Sequence, residues 1–558
     1  MLTFLHTYTE GSFPGLEANG LWRKGDGLKL MHKPGFEPPF DFNTAAAVGS
    51  PLERLIKELS CPFYIDRLQG GLGLTRRYPY DPALLRHYDE LLGERFWGFQ
   101  MHEWASNFRS DLERIEALIR QETTDPNDPA QRKRVLQKIK SGELSVFLEA
   151  HTAEEYADMT LAKDLTTFLR DARALYEKRN RETGGRLLPT DSYFLAPRLE
   201  IEAGAKRLTP EMGWQIPGMR LQVAYTRGMT KAAGIPWGIY YECWQLTDGQ
   251  ELSIPFSLRE GQDEWREDLL HKGYGSDLPF ERREHGGSSL SLLARAWRYA
   301  AFAGADSIGE EYGVCNTFRS LSDFSLSPYG EAKKEFLRFD EAFPDLGEPF
   351  TPMAAVLPAG LPMLDLYMDE QYLHYSVDDP ACPAAVNEPE RFRKTINAVF
   401  GRGGRYGNMG HVLRTGGLPG VVDVIHADMT DALKRYDYLI DLTGDAAFAD
   451  KHPNTVTVEE ADRLLDGLLP CQFDERLFAA YNRSGTGWLV LVMNNDGVDH
   501  DGFSPDRFRP EAAVRSEIRF SSPSTAVKKL AGNGTLHTDG AAADVTLHGG
   551  DWLLLTIN

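Results

Sequence analysis

Two carboxylates stand at the ends of short apolar runs, in surroundings that suit proton transfer and nucleophilic attack. Glu103 closes Trp97-Gly-Phe-Gln-Met-His-Glu103 and is followed by Trp104. Apolar neighbours raise a carboxyl pKa toward the value a general acid needs. A salt-bridged Glu on the rim of a fold would read the same way. Glu242 closes Pro236-Trp-Gly-Ile-Tyr-Tyr-Glu242 and precedes Cys243 and Trp244. An ionised carboxylate among aromatic rings needs hydrogen-bond donors. Fixed, oriented and still charged, it is what a nucleophile requires. A buried structural Glu paired with an arginine is the plainer alternative.

Other polar residues compete for the same roles. Glu200 and Glu202 lie two apart in Pro-Arg-Leu-Glu-Ile-Glu, which in a strand puts both on one face with Arg198 in phase. Glu310 and Glu311 are adjacent, so only one of them can face a given side. Asp66-Arg67 ends another apolar run, and His6 falls near the end of the first; a histidine there is more often a satisfied core or rim residue than a catalyst. Any of these carboxylates could bind a hydroxyl or displace one of the leading pair. Aromatic residues crowd the same ends: Trp97, Trp104, Trp237, Tyr240, Trp244 and Tyr312. Sugars offer C–H faces that stack on rings and hydroxyls that demand carboxylates. No Ser nucleophile elbow is present. Gly401-Arg-Gly-Gly404 follows a helical run rather than a strand, so it reads as a turn and not a phosphate loop. The residue types therefore favour a carbohydrate over a nucleotide.

These residues need a scaffold that gathers strand ends. Residues 1 to about 345 alternate short apolar runs with amphipathic stretches, the pattern of a parallel sheet with crossover helices. Strands are expected near Thr3–Tyr8, Leu28–His32, Pro62–Arg67, Trp97–Glu103, Leu144–Glu149, Tyr193–Glu202, Trp237–Glu242 and Asp306–Glu311. Eight such strands close a β/α barrel, whose chemistry sits at the C-terminal strand ends. Within Trp97–Glu103, alternation puts Trp97, Phe99, Met101 and Glu103 on one side, with Gln100 and His102 on the other. The charged stretch Arg120–Gly142 reads as a solvated helical excursion. The fold class is thus α/β: a (β/α)8 barrel over 1–348, a small α/β flavodoxin-like domain over 349–471 and an antiparallel β-sandwich over 472–558. The Pro/Gly-rich break at Asp345–Pro352 and the change to closely spaced strands after Gln472 set the boundaries.

The bulk numbers fit. A chain of 558 residues is too long for one core. With 61 basic and 82 acidic residues, the net charge of −21 argues against nucleic acid or an anionic membrane as partner. Five scattered cysteines, without a C-x-x-C pair, favour neither a disulfide framework nor a structural metal site, and no cofactor is expected. The N-terminus reads as a first strand rather than a signal peptide, which suggests a cytoplasmic protein. No apolar run is long enough to span a membrane.

The order of parts resembles known enzymes. Ile235-Pro-Trp-Gly-Ile-Tyr-Tyr-Glu242 is similar to the seventh-strand nucleophile motif of family 42 glycoside hydrolases. Ala301-Phe-Ala-Gly-Ala-Asp306 is similar to their eighth-strand motif, and Gly98-Phe-Gln-Met-His-Glu103 to their fourth-strand Gln-x-x-Asn-Glu motif. Phe324-Ser-Leu-Ser-Pro-Tyr-Gly-Glu331 resembles the exit from the barrel in clan A enzymes. The succession of domains also resembles family 164. The resemblance spans the chain as architecture but only about 40 residues as motif. His102 stands where the family has the Asn that contacts the sugar 2-hydroxyl. Glu310 and Glu311 stand where it has aromatic and Trp-Arg residues, and the family 42 cysteine zinc cluster is absent.

The resemblance implies a retaining exo-β-glycosidase, β-mannosidase-like or β-galactosidase-like, acting on a glycoside or oligosaccharide. It makes Glu103 the acid/base and Glu242 the nucleophile of a double displacement. Around the sugar the reading of the strand ends groups His6, Asp66, Arg67, His102, Trp104, Glu202, Tyr240, Trp244, Glu310 and Glu311. It further implies a homo-oligomer, a trimer built through residues of about 353–470. Two rivals stand beside it. One is a non-catalytic carbohydrate-binding or scaffold protein that kept the barrel. The other is a nucleophilic hydrolase in the middle region using Cys382, which lacks the strand–turn–helix setting.

Overall fold

The computed structural model describes residues 2–8, 11–30, 42–69, 81–102, 104–148, 151–158, 165–191, 196–212, 216–241, 245–247, 251–253, 287–310, 313, 317–318, 323–359, 399–400, 417–496, 498–499, 507–508, 511–522, 526–540 and 542–558. Its first sheet has eight parallel strands: β1 (Thr3–Tyr8), β2 (Gly27–Leu30), β3 (Phe63–Gln69), β4 (Phe96–His102), β5 (Leu187–Thr190), β6 (Glu211–Met212), β7 (Ile239–Tyr241) and β8 (Ser307–Glu310). They run in the order β5-β4-β3-β2-β1-β8-β7-β6. The ring closes between the last and the first, where the Thr209 amide donates to the Pro189 carbonyl (3.2 Å) and the Glu211 amide to the Asp191 carbonyl (2.9 Å). This is a (β/α)8 barrel.

Two expected strands are elsewhere. Residues 144–148 form no strand, and Leu144 packs as a partly buried edge of the core. Ala196–Glu202 is helical, so Glu200 and Glu202 do not share a strand face. The fifth strand instead comes from Leu-Leu-Pro-Thr at 187–190 and the sixth from only two residues, Glu211–Met212.

The helices form an outer layer. They include α1 (Pro51–Leu59), α2 (Trp104–Glu122), α3 (Pro129–Ser141), α4 (Leu165–Glu182), α5 (Ala196–Glu202), α6 (Ile216–Ala233), α7 (Gly287–Phe302) and α8 (Pro328–Ala342). Prolines open several of them, where a missing N–H costs nothing. Ser50 and Ser327 cap α1 and α8, each accepting from a backbone amide at 3.0 Å. The charged stretch 120–142 folds back as α3, whose Val135, Leu136 and Ile139 are buried in the main core, so it is amphipathic rather than wholly solvated. None of the helices among the described residues is long and apolar enough to cross a membrane.

A second parallel sheet follows, of Met353–Leu357, Val422–His426, Tyr438–Asp441 and Thr455–Val456, with Met353–Leu357 central between the second and third. Val458–Leu468 forms a helix with a capping box at Thr457 and Glu460. The helical run read before Gly401, Cys382 and the Gly401–Gly404 turn lie outside the described residues, apart from Val399 and Phe400. From Cys471 onward the pairing is antiparallel. Leu477–Ser484, Gly487–Asn494, Trp552–Ile557 and Val527–Gly532 join Glu348–Pro349 in one sheet, and Val514–Glu517, Ala542–Leu547 and Thr535–Asp539 make another. Their inward side chains, among them Val490, Val492, Val545, Leu553 and Leu555, share one buried cluster.

Candidate active site

Alternation decides which side chains enter the barrel. Leu5, Tyr64 and Leu188, from β1, β3 and β5, form a small buried cluster of their own with Trp97 against it. Gly309 of β8 makes room for them, because a Cβ there would lie 3.2 Å from the Tyr64 hydroxyl and 3.6 Å from the Tyr240 ring. This is the packed floor of the barrel. On β4 the phase shifts at Gly98, whose φ of +97° belongs to a bulge: Tyr64 pairs with Gly98 although Phe63 pairs with Phe96. Trp97 therefore faces the floor, whereas Phe99 and Met101 pack with the helix layer. Gln100 and His102 turn inward. The single face expected for Trp97, Phe99 and Met101 is split by this bulge.

Above the floor the interior becomes polar. Lys29 of β2 is fully buried and reaches across to β7, where Nζ donates to the Tyr240 hydroxyl at 3.1 Å and sits 4.6 Å from the ring centroid. It also donates to the Glu310 carbonyl at 2.5 Å. Gln100 Nε2 donates to Thr190 Oγ1 at 2.8 Å, joining β4 to β5. His102 Nε2 lies 3.2 Å from Glu211 Oε1, joining β4 to β6, and the His102 and Tyr240 rings meet edge to face at 5.5 Å. One hydrogen bond between Nε2 and Oε1 joins the ring to the carboxyl group. A cation, a carboxylate, an imidazole, a phenol and an amide thus converge at the C-terminal ends of four strands, β2, β4, β6 and β7.

The expected site residues fall on both sides of the barrel wall. His102 and Tyr240 face the interior. His6 does not: it shares the helix-facing side with Phe4 and bonds Asp26 at 3.2 Å. Burial draws its pKa below the ordinary value, and Asp26, itself paired with Arg23, opposes that shift. Glu310 also faces outward, on the same side as Ile308, and forms an ion pair with Lys333 of α8. Trp104 opens α2 and is buried there, stacked on Phe108 at 5.1 Å with its indole N–H donated to His151 at 2.8 Å. Glu202 lies on α5, half exposed, and pairs with Arg198 at 2.9 Å and Arg173 at 3.6 Å. Asp66 and Arg67 belong to β3, but their side chains lie outside what is described, as do Glu103, Glu242, Trp244 and Glu311 altogether.

No family model and no curated protein matches the chain. Among solved structures, the chain is similar to the catalytic module of a family 98 glycoside hydrolase from Streptococcus pneumoniae (9% identity, TM-score 0.45, covering 100% of this chain and 98% of that one). It is likewise similar to a family 42 β-galactosidase from G. stearothermophilus (9%, 0.45, 100% and 98%) and to a β-galactosidase from Bacillus circulans sp. alkalophilus (9%, 0.44, 100% and 99%). The strand order and ring closure establish the barrel independently of these matches.

The sequence alone did not single out three interior residues, Lys29, Thr190 and Glu211. Lys29 was legible only as a member of an apolar run, and Glu211 sits in a strand too short to show alternation; Gln100 was placed on the His102 face of its strand but given no role. One further group is perturbed. Burial, and then the nearby Asp191, hold the Glu200 carboxyl well above its usual range. It lies next to Tyr176, whose own pKa burial also raises.

Proposed function

We propose that the chain is a retaining exo-β-glycosidase, with Glu242 as nucleophile and Glu103 as acid/base. What supports the reading is the contact between His102 and Tyr240 inside the barrel. Glu103 is the next residue after His102, and Glu242 is two residues beyond Tyr240. Consecutive Cα atoms are about 3.8 Å apart, so chain connectivity keeps Glu103 one residue from His102 and Glu242 two residues from Tyr240. Retention calls for carboxyl groups about 5–5.5 Å apart. The motif resemblance assigns the same two residues.

In this reading Glu242 attacks the anomeric carbon while Glu103 protonates the leaving oxygen. Water then resolves the glycosyl-enzyme with Glu103 acting as base. The His102–Glu211 pair takes the place of the amide that the resembled families present to the sugar. That change favours a specificity other than plain β-galactosidase, and a β-mannoside is the preferred substrate. Trimerisation through residues 353–470 belongs to the same reading, and the mass in solution tests it. Incubation with aryl β-glycosides of the gluco, galacto, manno and fuco series tests the activity. Release of nitrophenol, lost in E103A and E242A, is expected. No release from any series would favour a carbohydrate-binding protein on a glycosidase fold.

A further inference from the structure

Among the described residues, several buried guanidinium groups meet carboxylates. Arg227 pairs with Asp423, Arg179 with Glu155 and Glu182, and Arg23 with Asp26 and Asp340. Arg295 is different. It lies on the face of α7 that carries Ser291, Arg295 and Arg298 and packs on the C-terminal sandwich. Ser291 Oγ donates there to the Gly550 carbonyl at 3.3 Å, and the Arg298 guanidinium stacks over the Trp552 ring at 4.3 Å. Arg298 thus has an aromatic face for its charge. Arg295 is 1% exposed and pairs with no carboxylate among the described residues.

Its hydrogen bonds leave a specific deficit. Nε donates to the Ser291 carbonyl at 3.3 Å, and Nη1 donates to Asn495 Oδ1. Nη2 has no acceptor, and Asn495 Nδ2, in a residue only 4% exposed, has none either. Both are donors, on the two residues that the Arg295–Asn495 hydrogen bond joins. Guanidinium does not lose its proton near neutral pH. Burial lowers its pKa to about 10, which still leaves it charged. An uncompensated buried charge is costly, and two unmet donors add to the cost.

We propose that the seam between α7 and the sandwich binds one small monovalent anion of the halide class, held by Arg295 Nη2 and Asn495 Nδ2. A single positive charge balances a single negative one. A halide needs only donors, whereas a phosphate would bury further oxygen lone pairs that two donors cannot meet. The anion would join the barrel to the sandwich, since Arg295 belongs to the first and Asn495 to the second. The site is independent of the glycosidase reading.

Thermal unfolding at fixed ionic strength tests this, with sodium chloride or bromide compared with sodium gluconate. The wild-type midpoint should rise by about 2–4 °C in saturating halide. N495D keeps the acceptor for Nη1 and supplies a fixed negative charge, so its midpoint should no longer respond to halide. R295M should lose the response as well, and N495D carries the test if R295M does not fold. Bromide anomalous scattering from crystals should place an ion between the two side chains. Equal wild-type midpoints in chloride and gluconate, as a bound water would give, would overturn the proposal. So would a halide response retained in full by N495D.

Discussion

His102 Nε2 and Glu211 Oε1 lie 3.2 Å apart inside the barrel although 109 residues separate them in the chain. This pair ties the ends of strands 4 and 6 and fixes the imidazole plane beside Tyr240. E211Q is nearly isosteric and should fold, but its amide cannot ionise. A hydrogen bond to a charged group contributes about 1.5–3 kcal/mol, so kcat/KM on the best aryl glycoside should fall about 10- to 100-fold. Unchanged kinetics would remove the pair from the site.

Glu310 and Lys333 form a buried structural pair, both side chains 2% exposed, with Lys333 Nζ also donating to Thr317 Oγ1 at 2.6 Å. Removing one partner leaves the other charged in the core. E310Q and K333M should each destabilise by about 3–5 kcal/mol, and the double variant by less than their sum. Urea unfolding of the three proteins measures this. Additive losses would deny the coupling.

His426 should make the seam between the barrel and the middle sheet sensitive to acid. Its Nδ1 donates to the Pro358 carbonyl at 2.9 Å, and its Nε2 accepts from the Tyr225 hydroxyl at 2.8 Å. Burial, and secondarily Arg198, lower its pKa from 6.5 to about 4. The folded chain keeps the ring neutral while the unfolded chain protonates it below about pH 6.5. Stability is therefore constant above that pH from this group, and is lost as pH falls toward 4, by about 3 kcal/mol in full. H426Q can donate and accept at the same places without titrating. Unfolding midpoints between pH 4.5 and 7.5 should fall less steeply for the variant; parallel curves would contradict the assignment.

Gly98 sets the phase of β4. Its φ is +97°, and a Cβ would run into the Arg186 carbonyl. G98A should cost about 2–4 kcal/mol and disturb Gln100 and His102 together. Loss of activity without loss of stability would be unexpected.

Much of this frame was legible in the chain. β1–β4, β7 and β8 were read because each is an apolar run ending on polar residues. β5 escaped because it is four residues long and contains Pro189, and β6 because two residues cannot display a period. Residues 193–202 alternate like a strand, yet 196–202 fold as a helix that buries Leu199 and exposes Glu202. The sequence left open whether Glu310 or Glu311 faces the interior. Gly309 packs against the floor, so Glu310 points to the helices. The Lys29–Tyr240 bond spans 211 residues, and no local pattern announces a partner at that distance.

The most direct test of the proposed chemistry is trapping with a panel of 2-deoxy-2-fluoro glycosyl fluorides, followed by peptide mapping. One sugar of the panel, expected to be the manno compound, should inactivate the protein with one label per chain, on Glu242. A label on another carboxylate, or turnover that continues unlabelled with every member of the panel, would contradict the account.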